Sequence, residues 1–212
     1  MSRSIEYSVK DELYQPTLDW DKKGIGMLTG KEGIYNLALL WEYNFAASGL
    51  IVFNLDCAIR FNPFVLTEQA RRRNIPPEPL LEQIIVRRAF TPYQILDSVQ
   101  DISKNKWDGN TIYFFLAPCK QFFDPDVRED EGKFLLNKLF ILLDDLHSLN
   151  YPILIVESLN YSHPTFRLLF PKLAEITSDL WELRVEKGYA YLKTRKTSSQ
   201  QISPTMGFLG DF

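Results

Sequence analysis

The sequence predicts an α/β fold in which a mostly parallel sheet lies between two layers of helices. Short apolar runs alternate with stretches whose apolar residues recur at helical spacing, which is typical of strands joined by helices. The clearest run, residues 50–55, is apolar on both faces, as expected for an interior parallel strand. Near the end of the chain, two alternating runs flank a Glu-Lys-Gly turn. They predict a C-terminal antiparallel hairpin.

The first half of the chain predicts three strands, each followed by a helix. Residues 1–23 are polar without a sustained period and predict an N-terminal arm or edge segment. A strand at 25–29 leads into the turn Gly30, Lys31, Glu32 and Gly33, and a helix follows until Ser48-Gly49. After strand 50–55 we expect a helix at 63–73, a turn at 74–79 and a strand at 84–86. Thr91-Pro92 then begins a helix, with Thr91 as N-cap and Pro92 at the first helical position.

The second half continues the alternation. A strand at 112–116 precedes an acidic loop at 118–131, and a long helix follows. Its predicted buried face carries the leucines at positions 135, 139, 142, 146 and 149. A strand at 153–156, a helix at 166–174 and the hairpin complete the core. We therefore divide the chain into an N-terminal arm (1–23), a core domain (24–193) and a flexible C-terminal tail (194–212).

Composition limits the classes of function. The 212 residues are 45% hydrophobic, enough for one sizeable core. The formal net charge of -3 gives no global attraction to a polyanion, so DNA binding would need a local basic patch. Cys57 and Cys119 lie far apart in the sequence and fit no metal-ligand spacing, and His147 and His163 lie apart from them. We expect no metal.

No apolar segment approaches the ~18 to 20 residues that a membrane helix needs. The N-terminal residues also lack the apolar stretch of a secretory leader. We therefore expect no membrane partner, a cytoplasmic location and reduced thiols.

Two segments carry a family resemblance. LDCAIRFNP at residues 55–63 is followed, after a helix, by IIVRRAF at residues 84–90. The pair resembles the RecA/RadA-type recombinases and KaiC-like ATPases, whose apolar strand ends in I-D-T-E-x-x-F-x-P and whose later strand has the form I-x-V-x-R-A-F. The resemblance extends loosely over residues 25–193. It implies a core of the RecA-like P-loop type.

The same comparison indicates that the residues for ATP hydrolysis are lost. A phosphate loop needs backbone N–H groups around the phosphates, a Lys on their oxygens and a Ser or Thr on magnesium. Aligned on the helix, the Gly30–Gly33 turn is two residues too short, and Ile34 and Tyr35 stand where Lys and Ser/Thr belong. The resemblance places Ala58 at the position of the family's glutamate, which polarises water.

The magnesium-supporting aspartate at the end of strand 112–116 is likewise replaced, by Leu116 or Ala117. The acidic residues at 124–131 could substitute, although a solvated acidic loop explains them as well. We therefore predict no catalytic residue, no cofactor and no ATPase activity, with a degenerate phosphate loop at Gly30–Gly33.

Candidate nucleic-acid contacts come from basic residues at the ends of predicted strands and in the tail. They are Arg87, Arg88, Arg167, Lys193, Arg195 and Lys196. For each there is a structural alternative: an ion pair for Arg87 or Arg88, an ordinary loop for Arg167, and a solvated edge for the three residues near the hairpin's end. Candidate partner contacts come from the apolar tail, at Phe208, Leu209 and Phe212, since such a segment can dock on a groove or sheet edge. The four tryptophans also exceed what one small core needs.

Two functions follow from a family fold without its chemistry. The first is a non-catalytic RecA-like accessory protein that assembles with itself or with a RecA-family partner, with DNA as a possible ligand, in repair or recombination. The alternative is a KaiC-like regulatory scaffold that binds proteins and no nucleic acid. An enzyme with rearranged groups is the third reading, but no sequence spacing supports it.

Overall fold

The computed structural model describes residues 5–8, 18, 20–160, 163–186 and 189–197. The predicted tail contacts Phe208, Leu209 and Phe212 lie outside these residues. The described part of the chain contains one eight-stranded sheet in the order β1-β8-β7-β2-β6-β5-β3-β4. Its strands are β1 (Ile5–Ser8), β2 (Ile25–Gly30), β3 (Ile51–Asp56), β4 (Ile84–Arg88), β5 (Thr111–Leu116), β6 (Ile153–Ser158), β7 (Asp179–Glu186) and β8 (Tyr189–Lys196).

Six neighbouring strands, from β7 to β4, run parallel. The hairpin strand β8 pairs antiparallel with β7, and β1 pairs antiparallel with β8. The mostly parallel sheet and the closing hairpin are therefore confirmed. Residues 194–196, assigned by the sequence to the tail, belong to β8.

In the part of the chain that the structure describes, six helices connect the strands: α1 (Ile34–Ala47), α2 (Pro63–Arg72), α3 (Pro77–Leu81), α4 (Pro92–Lys104), α5 (Glu129–Ser148) and α6 (Pro164–Glu175). A 3₁₀ turn at Lys120–Phe123 precedes α5. As predicted, the side chain of Thr91 caps α4 by accepting the N–H of Gln94 at 3.2 Å. The short helix α3 was expected to be a turn. Pro77, fixed near helical φ at its first position, favours the helix instead.

The sheet separates two apolar cores, one on each face. One core lies between the sheet and α1 to α3, and includes Trp41 and Phe114. The other lies under α4 to α6, and includes Leu136 and Phe115. Phe114 and Phe115 are adjacent on β5 and point into opposite cores, as the two-residue period of a strand requires. The chain therefore has three layers, with helices on both faces.

Burial corrects two expectations. On α5 the predicted Leu135, Leu139 and Leu146 are buried, and Leu142 is partly buried. Leu136 and Leu143 are buried as well, whereas Leu149, the residue after the helix, is exposed. The tryptophans are not a surplus available to partners: Trp20, Trp41 and Trp181 are buried together, and the Trp181 ring lies 6.3 Å from Trp41. Trp107 is partly buried, packs on the opposite core and donates its ring N–H to the carbonyl of Thr111.

Among the described helices, none has the length and apolar character needed to cross a membrane.

Candidate functional site at the carboxyl edge of the sheet

The turn between β2 and α1 is closed by neighbouring backbone. A Cβ atom on Gly30 would lie 2.6 Å from the carbonyl oxygen of Leu183 on β7, so only glycine fits there. Gly33 has φ 72°, a left-handed conformation that favours glycine, and it caps α1 without a side-chain hydrogen bond. The glycines of the predicted phosphate loop thus allow a tight turn packed on β7.

The loop after β6 holds this turn in place. Leu159 donates its N–H to the Gly30 carbonyl at 3.0 Å, and the Asn160 side chain donates to the Lys31 carbonyl at 2.7 Å. Lys31 and Glu32 are exposed, and neither side chain folds under the turn.

The residues at the turn do not fit nucleotide phosphates. Ile34, which stands at the position of the family's Lys, is buried in the apolar core. Tyr35, at the Ser/Thr position, lies under the guanidinium of Arg60, 5.0 Å from the ring centre. Ala58, Leu116 and Ala117 carry no carboxylate for magnesium. No step of ATP chemistry can therefore be assigned to these side chains.

Asp56, at the end of β3, organises the loop that follows. Its fully buried carboxylate accepts the N–H groups of Ala58 at 3.3 Å, Arg60 at 2.8 Å and Phe61 at 3.1 Å. Arg88 at the end of β4 adds an ion pair at 3.6 Å. Since these partners occupy both carboxylate oxygens, Asp56 holds the loop rather than a ligand.

Two thiols and a carboxylate lie buried at the same edge. The sequence separates Cys57 and Cys119, but the Cys57 N–H bonds to Leu116 on β5, and the Cys119 N–H bonds to Glu157 Oε2 on β6 at 2.9 Å. Burial, reinforced by the Glu157 charge, raises the pKa of both thiols well above the usual value.

The thiols are consequently protonated near neutral pH and are poor nucleophiles. In the described part of the chain, no three His, Cys, Asp or Glu side chains are grouped so that they could hold a metal ion.

Four of the six candidate nucleic-acid residues contact other groups of the chain. Arg87 pairs with Asp101 at 3.2 Å and lies over the Phe53 ring, and Arg88 pairs with Asp56. Arg195 donates to Glu182 at 2.6 Å. Arg87 and Arg88 thus lie on the edge strand β4, whereas Arg195 lies on the hairpin near the opposite edge of the sheet.

Lys196 donates its ammonium group to the carbonyls of Ala174 and Glu175 at the end of α6. Lys193 is partly exposed on the same strand, and the side chain of Arg167 lies outside the described part. The six basic residues therefore form no single patch that the structure describes.

The loops after β5 and β6 meet at a shallow cavity of about 190 Å³. His163 stacks on Phe123 there, with ring centres 4.9 Å apart, and the carboxylates of Asp124 and Glu129 line the cavity. These acidic groups, which belong to the loop predicted to be acidic and to the start of α5, would repel phosphates.

Sequence reasoning missed an apolar surface at the β4 corner. In the described residues no strand pairs with the outer side of β4. Five large apolar side chains are exposed on β4 and on the segments that follow β3 and β4: Ile59, Phe64, Ile85, Phe90 and Tyr93. Phe64 and Tyr93 begin α2 and α4, which pack on opposite faces of the sheet, so these residues surround the outer end of β4 on both faces. We call these five residues and β4 the β4 corner. The clearest sign of it in the sequence is Phe64, a large apolar residue directly after Pro63 at the start of a predicted helix. In the structure Phe64 is 77% exposed.

No family model matches the chain, and no curated protein matches it.

Proposed function

We propose that this chain is a non-catalytic RecA-like assembly protein that associates with a second copy of itself or with a RecA-family recombinase. The observation that carries the proposal is the β4 corner. An open edge strand presents unpaired N–H and C=O groups to another chain, and exposed apolar side chains around it favour burial against a partner.

The occupied carboxyl edge supports the non-catalytic part of the proposal. The resemblance assigns phosphate and magnesium binding to positions that here carry buried apolar side chains, namely Ile34, Ala58 and Leu116. The order of the strands, with β2 between β6 and β7, and the closing hairpin support the RecA-like core that the two sequence motifs imply. A role in DNA repair or recombination rests on those motifs.

Self-association is the first test. Sedimentation of the purified chain over a wide concentration range should show concentration-dependent assembly. The double variant Ile85→Glu/Phe90→Glu should weaken it at least about tenfold, equivalent to about 1.4 kcal/mol, because two carboxylates would have to be buried in the interface.

The matched control is Phe134→Glu/Ile141→Glu, which changes two exposed apolar residues on α5 by the same charge. This control should assemble as the wild type does. A chain that stays single at all concentrations and does not bind an active RecA-family recombinase would contradict the proposal.

The KaiC-like scaffold is the second candidate, favoured by the engagement of Arg87, Arg88, Arg195 and Lys196 within the chain and by the net charge of -3. Labelled single-stranded and duplex DNA would be titrated at low and moderate salt, with and without MgATP, while phosphate release is recorded. Binding that weakens with salt supports the recombinase-like role. Absence of binding supports the scaffold, and ATP turnover would contradict both.

A further inference from the structure

A buried polar pair lies where α1 packs on β3. Glu42 of α1 and Asn54 of β3 are both fully buried. The Asn54 side-chain N–H donates to Glu42 Oε1 at 2.6 Å. No step of the proposed function uses either residue.

Each member of the pair has one unsatisfied oxygen. Among the described residues, neither Glu42 Oε2 nor Asn54 Oδ1 has a hydrogen-bond partner. Both atoms are acceptors if Glu42 is ionised, so the site would contain a buried charge and two unmet acceptors, which is costly. A single proton on Oε2 removes the charge and supplies the missing donor.

The surroundings also favour the neutral acid. Burial raises the pKa of Glu42 well above its usual value; the hydrogen bond from Asn54 lowers it, and the negative charge of Asp56 on β3 raises it. The other elements packed on α1, namely β2, β5, β6, α2 and α3, contribute apolar side chains to the enclosing core: Leu28, Phe114, Leu154, Val156, Leu66 and Leu80.

We propose that Glu42 is held as a neutral carboxylic acid that forms a two-point hydrogen-bonded pair with Asn54, and that this pair makes the contact between α1 and β3 sensitive to pH. Glu42 Oε1 accepts from Asn54, and the acid O–H on Oε2 donates to Asn54 Oδ1. Loss of the proton replaces the second hydrogen bond with a buried negative charge, so the contact between α1 and β3 weakens.

The sign of the pH effect follows from linkage. The folded chain binds the Glu42 proton more tightly than the unfolded chain, whose glutamate has a pKa of about 4.3. Stability therefore falls as pH rises from that value through the folded pKa, because the unfolded state then binds fewer protons.

Glu42→Gln isolates this effect. Glutamine keeps an acceptor for the Asn54 N–H and offers its own N–H to Asn54 Oδ1, without a proton to lose. Between about pH 6 and about pH 9, the unfolding equilibrium constant of the wild type should rise at least about tenfold more than that of Glu42→Gln, measured by urea unfolding. The control Glu68→Gln, on the exposed face of α2, should keep the wild-type pH dependence.

A direct measurement on the wild type keeps the proposal testable even if Glu42→Gln does not fold. Infrared spectra at neutral pH should show the C=O stretch of a protonated carboxylic acid, shifted when carboxyl groups are labelled with carbon-13. The band should vanish in folded Glu42→Gln and persist in Glu68→Gln. Absence of the band from the wild type, or equal pH slopes for wild type and Glu42→Gln, would overturn the proposal.

Discussion

At the scale of single residues, Asp56 links strand, loop and neighbouring strand through one carboxylate. It ends β3, accepts three backbone N–H groups of the next loop and pairs with Arg88 on β4. Ile59, at φ 55° in that loop, adopts a conformation that a β-branched residue normally avoids. The hydrogen bonds to Asp56 offset that strain and fix the loop that carries Ile59 and Phe64 at the β4 corner.

Asp56→Ala should therefore be strongly destabilising. The substitution leaves three buried or partly buried N–H donors and one half-exposed guanidinium without their acceptor, and we expect a loss of about 3 kcal/mol in the free energy of unfolding. Asp101→Asn is the control, since Asp101 holds Arg87 at an exposed position where an ion pair contributes less than about 1 kcal/mol. Urea unfolding would measure both, and equal losses would show that Asp56 has no special role in the loop.

The residues of the buried pair show what a single sequence hides. Glu42 lies four positions after Ala38 and four before Ala46, so its helical position alone marks it as facing inward. Asn54 interrupts the otherwise apolar strand 50–55. That the two residues form a pair becomes visible only in the structure. They are 12 positions apart in sequence and meet only when α1 packs on β3.

At the scale of elements, the hairpin fastens the end of α6. The sequence marked Lys196 as a nucleic-acid candidate because it follows Lys193 and Arg195 near the hairpin's end. The structure turns its ammonium group toward the carbonyls of Ala174 and Glu175. Burial lowers the pKa of Lys196, while the carboxylates of Asp179 and Glu175 act in the opposite direction. A cation at a helix C-terminus also interacts favourably with the helix dipole.

Lys196→Met tests this fastening. It keeps much of the side-chain length but removes the hydrogen bonds, so we expect a loss of about 1 kcal/mol in unfolding free energy. Hydrogen exchange should also become faster in the last turn of α6. Lys193→Met changes the neighbouring lysine of β8 and should leave both measurements near the wild-type values. A loss of DNA affinity in Lys196→Met without faster exchange would instead support the nucleic-acid interpretation.

Helices and strands were predictable where local chemistry decides them. Thr91-Pro92 supplies a cap and a first helical residue, and α4 begins there. The prediction of the buried face of α5 was partly wrong. Several of its leucines fit more than one helical spacing, and only packing decides which of them are buried. The Gly30–Gly33 turn was correctly located, but its closure by Leu183 and Asn160 depends on β7 and the loop after β6, which are distant in sequence.

At the scale of the whole molecule, one sheet joins two cores. Adjacent residues of β5 face opposite sides, so a change of strand position is transmitted to both layers of helices. The sequence predicts the layers from alternating strands and helices. Apart from the C-terminal hairpin, it does not predict which strands pair, because that depends on long-range contacts. Nor does it predict that, among the described residues, the outer side of β4 has no partner strand.

Such a molecule should unfold as one cooperative unit. Leu136 is fully buried in the core under α5, whereas Trp20, Trp41 and Trp181 lie in the core on the other face. Leu136→Ala should cost about 2–5 kcal/mol through the cavity it leaves. Because Trp107 packs against the same core as Leu136, Trp107→Phe is made in both the wild type and the variant, so that fluorescence reports the other core. The urea midpoint seen by tryptophan fluorescence should fall together with the midpoint seen by circular dichroism.

Leu149→Ala is the matched control on the chain that leaves α5. Leu149 is 60% exposed, so its truncation should change the free energy of unfolding obtained from either probe by less than about 0.5 kcal/mol. Two separate transitions in Leu136→Ala would mean that the cores unfold independently. Coincident transitions would mean that the sheet couples them, so that the Glu42–Asn54 pair, on the side of Trp41 and Trp181, shares the stability of the whole domain.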